Sequence, residues 1–540
     1  MYKLKLTLSL AFVTQIIQAQ SQESPSSGFL LYSVVALCAL LVVWAILSLA
    51  SNLMKIEANK YGLLQNGKQL GIFPGIRDFF ISKKPNFIKE GTYHQLDKGY
   101  DIHLAGKAEG SISQANVSRF GILPTDFHGM SPIPKVEYQV GDEVKAGDIL
   151  FYDKKKPEIK YCAPVSGELI EVRRGEKRSI SAVVILADKT IKYRGAQVPD
   201  IYKVDRSTLV EFMAEHGLWP FINERPFDVV PQLATIPENI FISTFDTAPL
   251  APDNNLIVAG QEEAFQKGLN VLALLTPGKV HLGLDGRGVE PAKAFTNAYN
   301  VDKHWFNGPH PSGNVGVHIH HIAPIKSGGK VWTLTVQSVI TIGQFFLTGH
   351  YKVDRIVALT GAELKEPKYV RTYQGANISD LVKENLNGEN LRLISGDVLS
   401  GAKVDIDGFL GWNADQITVV KEGNYYELFG WLLPLKPRPS TSATIPCYGG
   451  KDFEFEADTN THGEKRAFVV SGQYEQFLPM DIYPMHLMKA IISNDVEKME
   501  GLGISELTEE DVALCEFACT SKNPLQSILR QGLENLKEQL

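Results

Sequence analysis

The sequence predicts a multidomain α/β protein whose main body follows one transmembrane helix. Three observations support this prediction. The chain has 540 residues, well above the ~100–200 residues of a typical domain. Residues 29–50 form an uncharged, apolar run. Beyond it, strand-like and helix-like segments alternate, with a β-rich stretch before them and a helical stretch after them.

The composition is that of an ordinary globular protein. Apolar residues make up 44% of the chain and charged residues 21%, which excludes a mainly disordered, collagen-like or polytopic membrane protein. Lys and Arg number 54 against 61 Asp and Glu, a net charge of −7 without a long basic block. Nucleic acid is therefore not an expected partner. Five widely spaced cysteines are no disulfide framework and indicate a reducing compartment.

Residues 1–19 have the features of a secretory signal. Lys3 and Lys5 form a short basic region, residues 6–17 a modest apolar core, and Ala19 ends a plausible cleavage site. An uncleaved first hydrophobic segment is the alternative, and the sequence leaves both open.

The run 29–50 predicts a single membrane span. Its 22 residues make a helix of ~33 Å, enough for a bilayer core of ~30 Å. A buried core helix is rarely so uniformly apolar. The stretch 52–94 carries seven Lys and Arg against three Asp and Glu, so the positive-inside rule predicts an inner-membrane anchor with the body in the cytoplasm. The span has no ionisable residue, so this chain alone cannot be a pump or channel.

The β-rich stretch predicts a barrel-sandwich hybrid. Gly141-Asp142, Gly147-Asp148 and Gly167 stand at turn positions between short alternating segments, a pattern that resembles biotinyl- and lipoyl-carrier folds. Lys156 falls near the modified lysine of those carriers, but the usual Glu-Ala-Met-Lys-Met context is missing. A modified lysine is one interpretation, and a solvated basic hairpin is the favoured one.

The middle of the chain predicts a Rossmann-like α/β layer. Strand-like segments at 239–244, 279–284, 331–336 and 355–359 are separated by helical patterns, among them 262–275 and 337–348. A dinucleotide site would need Gly-x-Gly-x-x-Gly between a strand and a helix, and the sequence has none. In residues 283–288 the glycine spacing is reversed, which favours a tight loop over a phosphate cradle.

The segment 306–321 is the densest group of functional side chains. It holds four of the thirteen histidines. If it is a strand, His318 and His320 share one face. Zinc would need a nearby third ligand, which is missing. A glycine-rich loop whose imidazoles bind an anionic or quinone oxygen is a second hypothesis, and purely structural histidines are a third. The candidate contact residues are Pro309, His310, Pro311, Ser312, Gly313, Gly316, His318 and His320.

The last third predicts a compact β-α-β unit followed by helices. Residues 370–382 and 391–401 read as a β-grasp (SLBB-like) region. Further on, Thr508 precedes three acidic residues as a helix cap. Cys515 and Cys519 lie four apart, but an iron–sulfur cluster needs four thiolates, so buried core thiols are favoured. The final helix carries an apolar stripe of Leu525, Ile528, Leu529, Leu533, Leu536 and Leu540.

These patterns divide the chain into seven parts. We expect a signal segment (1–19), a transmembrane helix (29–50), a juxtamembrane connector with a little local structure (51–94), a barrel-sandwich hybrid (95–200), a Rossmann-like domain (201–365), a β-grasp region (366–455) and a helical region (456–540).

The order of these parts is similar to the peripheral flavin and iron–sulfur subunit of respiratory NADH dehydrogenases and to its relative in the Rnf complex. It more closely resembles the NqrA family, which belongs to the sodium-translocating NADH:quinone reductases. The resemblance covers residues from about 95 to 540. It is carried by several segments, which are specific for the family only when they are taken together. Its segments are 140–150 with 163–172, 306–321, 343–349, 393–401, 428–431, 474–481 and 507–519.

The resemblance implies a role in a multi-subunit enzyme. That complex oxidises NADH, reduces quinone to quinol and moves Na⁺ outward, and this subunit sits on the cytoplasmic face against membrane subunits and has been linked to quinone. In the broader superfamily a loop at the position of Pro311-Ser312-Gly313 helps to seat flavin. The other flavin and nicotinamide glycines and the cysteine cluster are missing here, so the resemblance implies a chain without its own cofactor, with NAD and flavins bound by other subunits.

One feature departs from the family, and two other functions stay open. The familiar subunit begins near residue 95, whereas this chain has a signal-like segment and a span before it. An autonomous flavoprotein of the Rnf or respiratory NADH dehydrogenase type is the first alternative. A membrane-anchored carrier or adaptor, with a modified Lys156, is the second.

Overall fold

The computed structural model describes residues 25–60, 84–326, 328–430, 437–441 and 453–539. The chain forms two compact units, residues 1–84 and 85–540. The predicted signal segment, Cys447, Leu540 and most of the juxtamembrane connector lie outside the described residues.

The first unit contains one long apolar helix, α1 (Pro25–Lys60). Its stretch Tyr32–Ala50 is long and apolar enough to cross a membrane, so the predicted apolar helix near the N-terminus is confirmed. The helix continues through Lys60, so residues 51–60 of the expected connector are helical.

The second unit begins with a strand of the large α/β sheet and then forms a small β-sandwich. Its four-stranded sheet has the order β3-β9-β8-β5 and its three-stranded sheet the order β4-β6-β7. Of the first nine strands, β3 to β9 form the sandwich, and β1 and β2 belong to the two larger sheets. The nine strands are β1 (Thr92–Gln95), β2 (Glu109–Gln114), β3 (Arg119–Ile122), β4 (Lys135–Val136), β5 (Glu143–Val144), β6 (Ile149–Asp153), β7 (Lys156–Cys162), β8 (Gly167–Arg174) and β9 (Ile180–Ala187).

The predicted turn glycines stand where the sandwich needs them. Gly141 and Gly147 have φ of +100° and +93°, which favours glycine. Gly167 has φ of +154°, and a Cβ there would lie 1.9 Å from the Leu186 carbonyl oxygen. At the hairpin between β6 and β7, Lys156 is half-buried and its Nζ donates to the Val230 carbonyl oxygen at 3.4 Å. The lysine therefore packs against the next part of the chain rather than standing at a free tip.

A six-stranded sheet forms the middle of the unit, in the order β1-β13-β12-β11-β14-β10. All neighbours pair in parallel except β10 with β14. Its central strands are continuous buried runs, as expected for parallel strands covered on both faces. The elements are α2 (Arg206–Glu215), β10 (Asn223–Arg225), β11 (Ile240–Ser243), α3 (Asn254–Val258), α4 (Glu262–Ala273), β12 (Val280–Asp285), α5 (Lys293–Thr296), β13 (Asp302–Asn307), α6 (Val315–Ile322), β14 (Val331–Leu334) and α7 (Val336–Thr348).

The strand expected at 355–359 belongs to a different sheet. It forms β15 (Asp354–Thr360) in a second six-stranded sheet, of order β18-β17-β19-β15-β16-β2. The assignment of this strand to the middle layer is therefore wrong. The alternation of strand-like and helix-like segments in the sequence does not identify the partner with which a strand pairs. The other elements of this sheet are β16 (Lys368–Tyr373), α8 (Ile378–Val382), β17 (Leu391–Ser395), β18 (Ala402–Val404) and β19 (Gln416–Lys421).

Four helices end the chain and share a second hydrophobic core. Thr508 caps α11 as predicted, with its backbone N–H donating to Asp511 Oδ2 at 2.9 Å. Cys515 and Cys519 are buried, and Leu525, Leu529, Leu533 and Leu536 form the buried stripe of the last helix. The helices are α9 (Pro484–Ile492), α10 (Val496–Gly501), α11 (Glu509–Ala518) and α12 (Leu525–Gln539).

A buried arginine fastens these helices to the middle layer. Arg225, at the end of β10, is 4% exposed. Its Nη1 donates to Thr508 Oγ1 at 2.5 Å and its Nη2 to Glu510 Oε1 at 2.7 Å, while Asp511 Oδ2 lies 3.4 Å from Nη1. Burial raises the pKa of Asp511, and Arg225 opposes that rise. The acidic first turn of α11 thus meets its counter-charge inside the protein.

Helices α4 and α7 pack backbone against backbone at two glycines. A Cβ on Gly343 would lie 1.7 Å from the Ala264 carbonyl oxygen, and one on Gly268 would lie 2.2 Å from the Val339 carbonyl oxygen. The two helices can approach this closely only because neither position has a side chain.

We predict that Gly343→Ala lowers the free energy of unfolding by about 3 kcal/mol, because the added methyl group overpacks the α4–α7 contact. Gly501→Ala is the matched control, since Gly501 is also helical and a Cβ there meets nothing within 4 Å. Urea unfolding of both variants measures the difference. Equal midpoints would show that the two helices can separate freely.

Candidate functional site

Three neighbouring parallel strands end at one edge of the middle sheet. Strands β11, β12 and β13 run in parallel, so the loops after Ser243, Asp285 and Asn307 meet there. In open α/β sheets, ligands bind outside the carboxyl ends of the strands. We refer to this edge, with loops 244–250, 286–292 and 308–314, as the carboxyl edge.

The predicted glycine-rich loop lies at this edge and is held from both sides. The His310 backbone N–H donates to Asp101 Oδ1 at 2.8 Å, and the Tyr100 N–H donates to the His310 carbonyl oxygen at 2.8 Å. On the other side, the Gly313 N–H donates to Thr247 Oγ1 at 3.0 Å and the Ser243 hydroxyl donates to the Gly313 carbonyl oxygen at 2.8 Å. The loop is therefore pre-formed.

Within the loop, Pro309 and Pro311 flank the histidine, and the His310–Pro311 peptide is cis. The Ser312 hydroxyl donates to the Gly308 carbonyl oxygen at 2.8 Å. A Cβ on Gly313 would lie 2.8 Å from the Thr247 nitrogen. The Ser312 hydroxyl is therefore used inside the loop, whereas the backbone of Gly313 is bonded to Thr247 and Ser243 outside it.

His310 is the candidate residue that combines unused bonding capacity with a place in the loop at the carboxyl edge. It is 3% exposed, and its Nδ1 lies 3.0 Å from Thr247 Oγ1. Its Nε2 is buried without a partner. Burial lowers the pKa of His310 to about 4, so the imidazole is neutral at physiological pH. A neutral ring held at Nδ1 offers Nε2 to a ligand as a single hydrogen-bonding atom.

The surroundings of His310 are acidic. Four carboxylates stand at or near the carboxyl edge, and Arg287 is the basic side chain that faces them. Arg287 is already paired, with its Nη2 2.9 Å from Asp285 Oδ2. Desolvation by the surrounding loops, together with repulsion from Asp397, raises the pKa of Asp246 to about 6. The four carboxylates are Asp101, Asp246, Asp285 and Asp397.

His318 and His320 lie on a helix, so the strand on which they would share one face does not form. Segment Val315–Ile322 is α6, and side chains two residues apart on a helix point to different sides. His318 stacks on Phe306 with ring centroids 3.9 Å apart, and its Nε2 bonds the Ser312 carbonyl oxygen of the loop at 2.9 Å. His320 pairs with Glu506 at 2.8 Å. His318 thus supports the loop from behind, and His320 is bonded to the C-terminal part of the chain.

Gly316 faces the C-terminal helices. A Cβ on Gly316 would lie 2.4 Å from Asp511 Oδ2, and the neighbouring Asn314 Nδ2 donates to the Glu510 carbonyl oxygen at 3.1 Å. The structure therefore brings Pro309, His310, Pro311, Ser312 and Gly313 together, and assigns Gly316, His318 and His320 to packing between layers.

Sequence reasoning missed Asp246 and Thr247, which hold and face the loop. Their positions could have indicated this role, because they lie two and three residues after the end of the strand predicted at 239–244. Asp101 and Asp397 gave no such signal, because they reach the carboxyl edge from distant parts of the chain.

A layer of neutral imidazoles lies between the sheet and α6. His281 Nδ1 is 3.1 Å from His304 Nε2, and His94 stacks on Phe306 at 4.6 Å. Burial lowers the pKa of His94 and of His281 to about 4, and that of His318 to about 3. Among the residues that the structure describes, no group of three or more His, Cys, Asp or Glu side chains could hold a metal ion.

We predict that the buried imidazoles contribute a loss of stability as the pH falls from 6.5 towards 4. A neutral buried histidine has its folded-state pKa below the unfolded value of ~6.5, so the unfolded chain binds protons first. Each such histidine costs up to about 1.4 kcal/mol per pH unit. Carboxyl groups with raised pKa values, such as Asp246 at about 6, act in the opposite direction, so the prediction concerns the difference between a variant and the parent. Urea unfolding at pH 7, 6 and 5 should show that His318→Gln loses less stability than the parent over this range and that the exposed His486→Gln does not differ from it, whereas an unchanged pH dependence in His318→Gln would contradict the assignment.

Comparison with known proteins agrees with this architecture. Three family models match in order: the NqrA N-terminal barrel-sandwich hybrid domain over residues 94–188, the NqrA second alpha/beta domain over 204–351, and the NQRA C-terminal domain of SLBB type over 356–405. The chain therefore belongs to a class of multidomain proteins in which a barrel-sandwich hybrid is followed by an α/β layer and then by an SLBB-type domain.

Curated relatives define the family more narrowly. The A subunit of the Na(+)-translocating NADH-quinone reductase of Saccharophagus degradans is 39% identical over 82% of this chain and 99% of its own length. The corresponding A subunits of Vibrio atlanticus and Actinobacillus pleuropneumoniae are 36% and 38% identical, with the same two coverages. The chain belongs to the NqrA family, the A subunits of Na(+)-translocating NADH-quinone reductases.

Proposed function

We propose that this chain is the A subunit of a membrane-bound enzyme that oxidises NADH, reduces quinone to quinol and exports Na⁺. The observation that carries the proposal is the family membership, since relatives of that name align along 99% of their own length. Within the proposal, the middle layer is a Rossmann-like domain that ends before β15, and the second sheet contains a β-grasp unit.

The chain works without a nucleotide cofactor of its own in this proposal. The carboxyl edge, where a related fold would hold a phosphate, carries Asp101, Asp246, Asp285 and Asp397, and its Arg287 is paired with Asp285. A phosphate there would meet like charges at short range. NADH and flavins accordingly bind to other subunits, which disfavours the alternative of an autonomous flavoprotein of the Rnf or respiratory type.

Quinone is the proposed small-molecule contact of the carboxyl edge. His310 Nε2 is buried and unpartnered, and a quinone carbonyl oxygen is an acceptor that a neutral Nε2–H can bind. The proposed contact set comprises Pro309, His310, Pro311, Ser312 and Gly313, with Gly316, His318 and His320 supporting the fold around it. The seam with a membrane subunit would complete the site.

Helix α1 is the proposed membrane anchor. Its 36 residues make ~54 Å of helix, more than a bilayer core of ~30 Å needs. The basic excess that follows it favours a cytoplasmic position for the body at the cell inner membrane. The membrane subunits of the same enzyme are the expected partners.

We predict that a C-terminally tagged chain, solubilised in mild detergent, brings down a multi-subunit, flavin-containing complex. This chain should be colourless after separation, because its carboxyl edge repels nucleotide phosphates. Mass spectrometry of the separated components and a visible spectrum of each fraction provide the measurement. Recovery of this chain alone, with bound flavin or iron, would overturn the proposal in favour of an independent dehydrogenase.

We predict that His310→Ala raises the KM for quinone by about 5- to 100-fold, since a lost buried hydrogen bond costs ~1–3 kcal/mol. NADH oxidation by an artificial electron acceptor should not change. The exposed His486→Ala is the matched control. Steady-state kinetics of the purified complex with a short-chain quinone measures both, and an unchanged quinone KM in a folded His310→Ala complex would remove this loop from the site.

A further inference from the structure

Helix α9 and a separate stretch of chain beside it form an exposed apolar surface. Val469 and Val470 are 57% and 52% exposed, and Tyr483 and Ile492 are each 60% exposed. Contiguous apolar groups on a protein surface mark sites of interaction with a partner or a membrane. We refer to this surface as the α9 face. Its members are Phe468, Val469, Val470, Tyr483, Lys489 and Ile492.

Contacts at both ends hold the valine segment along the helix. The Lys489 ammonium lies 5.5 Å from the centre of the Phe468 ring. At the other end, the Ser471 backbone N–H donates to Met485 Sδ at 3.2 Å. The two valines lie between these contacts, so they run beside α9. Ile492 follows Lys489 by one turn, on the same side of the helix.

Basic side chains border this apolar surface. Lys465 and Arg466 are exposed just before the valine segment, and Lys489 is exposed within the face. Glu464 and Asp481 are the exposed carboxylates beside them, so the basic groups are in the majority. An ammonium or guanidinium at the edge of an apolar surface can reach the phosphates of lipid headgroups.

The α9 face therefore has the composition of a membrane-interface contact. Such contacts place aliphatic and aromatic side chains in the headgroup region and surround them with Lys and Arg, which are attracted to anionic lipids. Tyrosine is enriched at the same depth, because its ring is apolar and its hydroxyl is polar. Tyr483 stands at the start of α9, where it is part of the exposed face.

The chain also keeps a bilayer within reach of this face. Helix α1 ends at Lys60, and the second unit begins at Pro85. The connector 61–84 can span at most ~80 Å. A tether of this length keeps the lipid surface at a high effective concentration, so a contact that is weak by itself is sufficient for docking.

We propose that the α9 face docks on the anionic lipid surface of the membrane that α1 crosses. Its aliphatic side chains enter the headgroup region, and three basic side chains bind lipid phosphates. These are Lys465, Arg466 and Lys489. The inference rests on the proposed function for the membrane anchor, and it assigns a second lipid contact to the main body.

A fluorescent label at position 470 of the full-length chain tests the proposal. Val470→Cys carries an NBD group, with Cys38 and Cys447 replaced by serine and the other cysteines buried. In nanodiscs of phosphatidylglycerol and phosphatidylethanolamine, a lipid with a nitroxide near its headgroup should quench this label at least about threefold more than a label at Val140→Cys. Val140 is the matched control, since it is 62% exposed and lies in the sandwich.

The outcomes separate the inference from the proposed function. Equal quenching of the two labels in a chain that stays with the nanodiscs would overturn the inference and leave the anchor standing. A chain that does not stay with the nanodiscs would overturn the anchor and, with it, the inference.

Two further measurements separate anionic lipid from other occupants. Discs of phosphatidylcholine alone should quench the label at position 470 at least about threefold less, because the attraction of the basic groups is lost. Equal quenching in these discs would overturn the proposal. A blue-shifted NBD spectrum in the detergent-purified complex, without quenching in anionic discs, would assign the face to a neighbouring protein and overturn it as well.

Charge-reversal variants provide an independent readout. Lys465→Glu combined with Lys489→Glu should lower the quenching at position 470 about threefold or more, since each basic residue contributes to the attraction. Lys154→Glu combined with Lys155→Glu is the matched control, because both lysines are exposed in the sandwich hairpin. Circular dichroism checks that each variant is folded. Equal quenching in the two pairs of variants would overturn the proposal.

Discussion

The buried charge of Arg225 is the constraint on which the arrangement of the main body depends. A guanidinium removed from water costs several kcal/mol unless it is paired, and here Thr508, Glu510 and Asp511 at the start of α11 bond it, with Asp228 3.9 Å away. The same turn contacts α6 through Asn314 and Gly316. One polar cluster therefore fixes the positions of the C-terminal helices, the middle sheet and the glycine-rich loop relative to one another. Removing Arg225 alone would leave buried carboxylates without a counter-charge. Removing an apolar side chain would only loosen a core and would leave no unpaired charge.

Two kinds of neutral histidine follow from this packing. Several imidazoles fill the space between the sheet and α6, where burial keeps them uncharged. His310 differs in its position, because it lies in the loop at the carboxyl edge, where Thr247 fixes its Nδ1 and carboxylates stand nearby. Neither burial nor an unpartnered ring nitrogen would distinguish it, since His94 and His318 also have lowered pKa values and an unpartnered nitrogen. The distinction lies in the place of the ring in the fold.

Local patterns in the sequence predicted much of this structure, and long-range pairing limited the rest. Turn glycines such as Gly167, the helix at 262–275 and the cap at Thr508 depend on neighbours within a few residues, so the sequence reports them. The segment around His318 and His320 alternates like a strand, and only its packing against the sheet makes it a helix. Strand 354–360 joins a sheet whose partners include β2. Asp101 meets His310 across 209 residues, a contact that no local pattern encodes.

Strand β18 is the outer strand of its sheet, and among the described residues its second edge has no partner strand. An open sheet edge is a template for aggregation. A copy of the chain whose edge stays uncovered would become a substrate for chaperones and proteases. Prompt covering of this edge is then a physical requirement for the chain to stay free of aggregates.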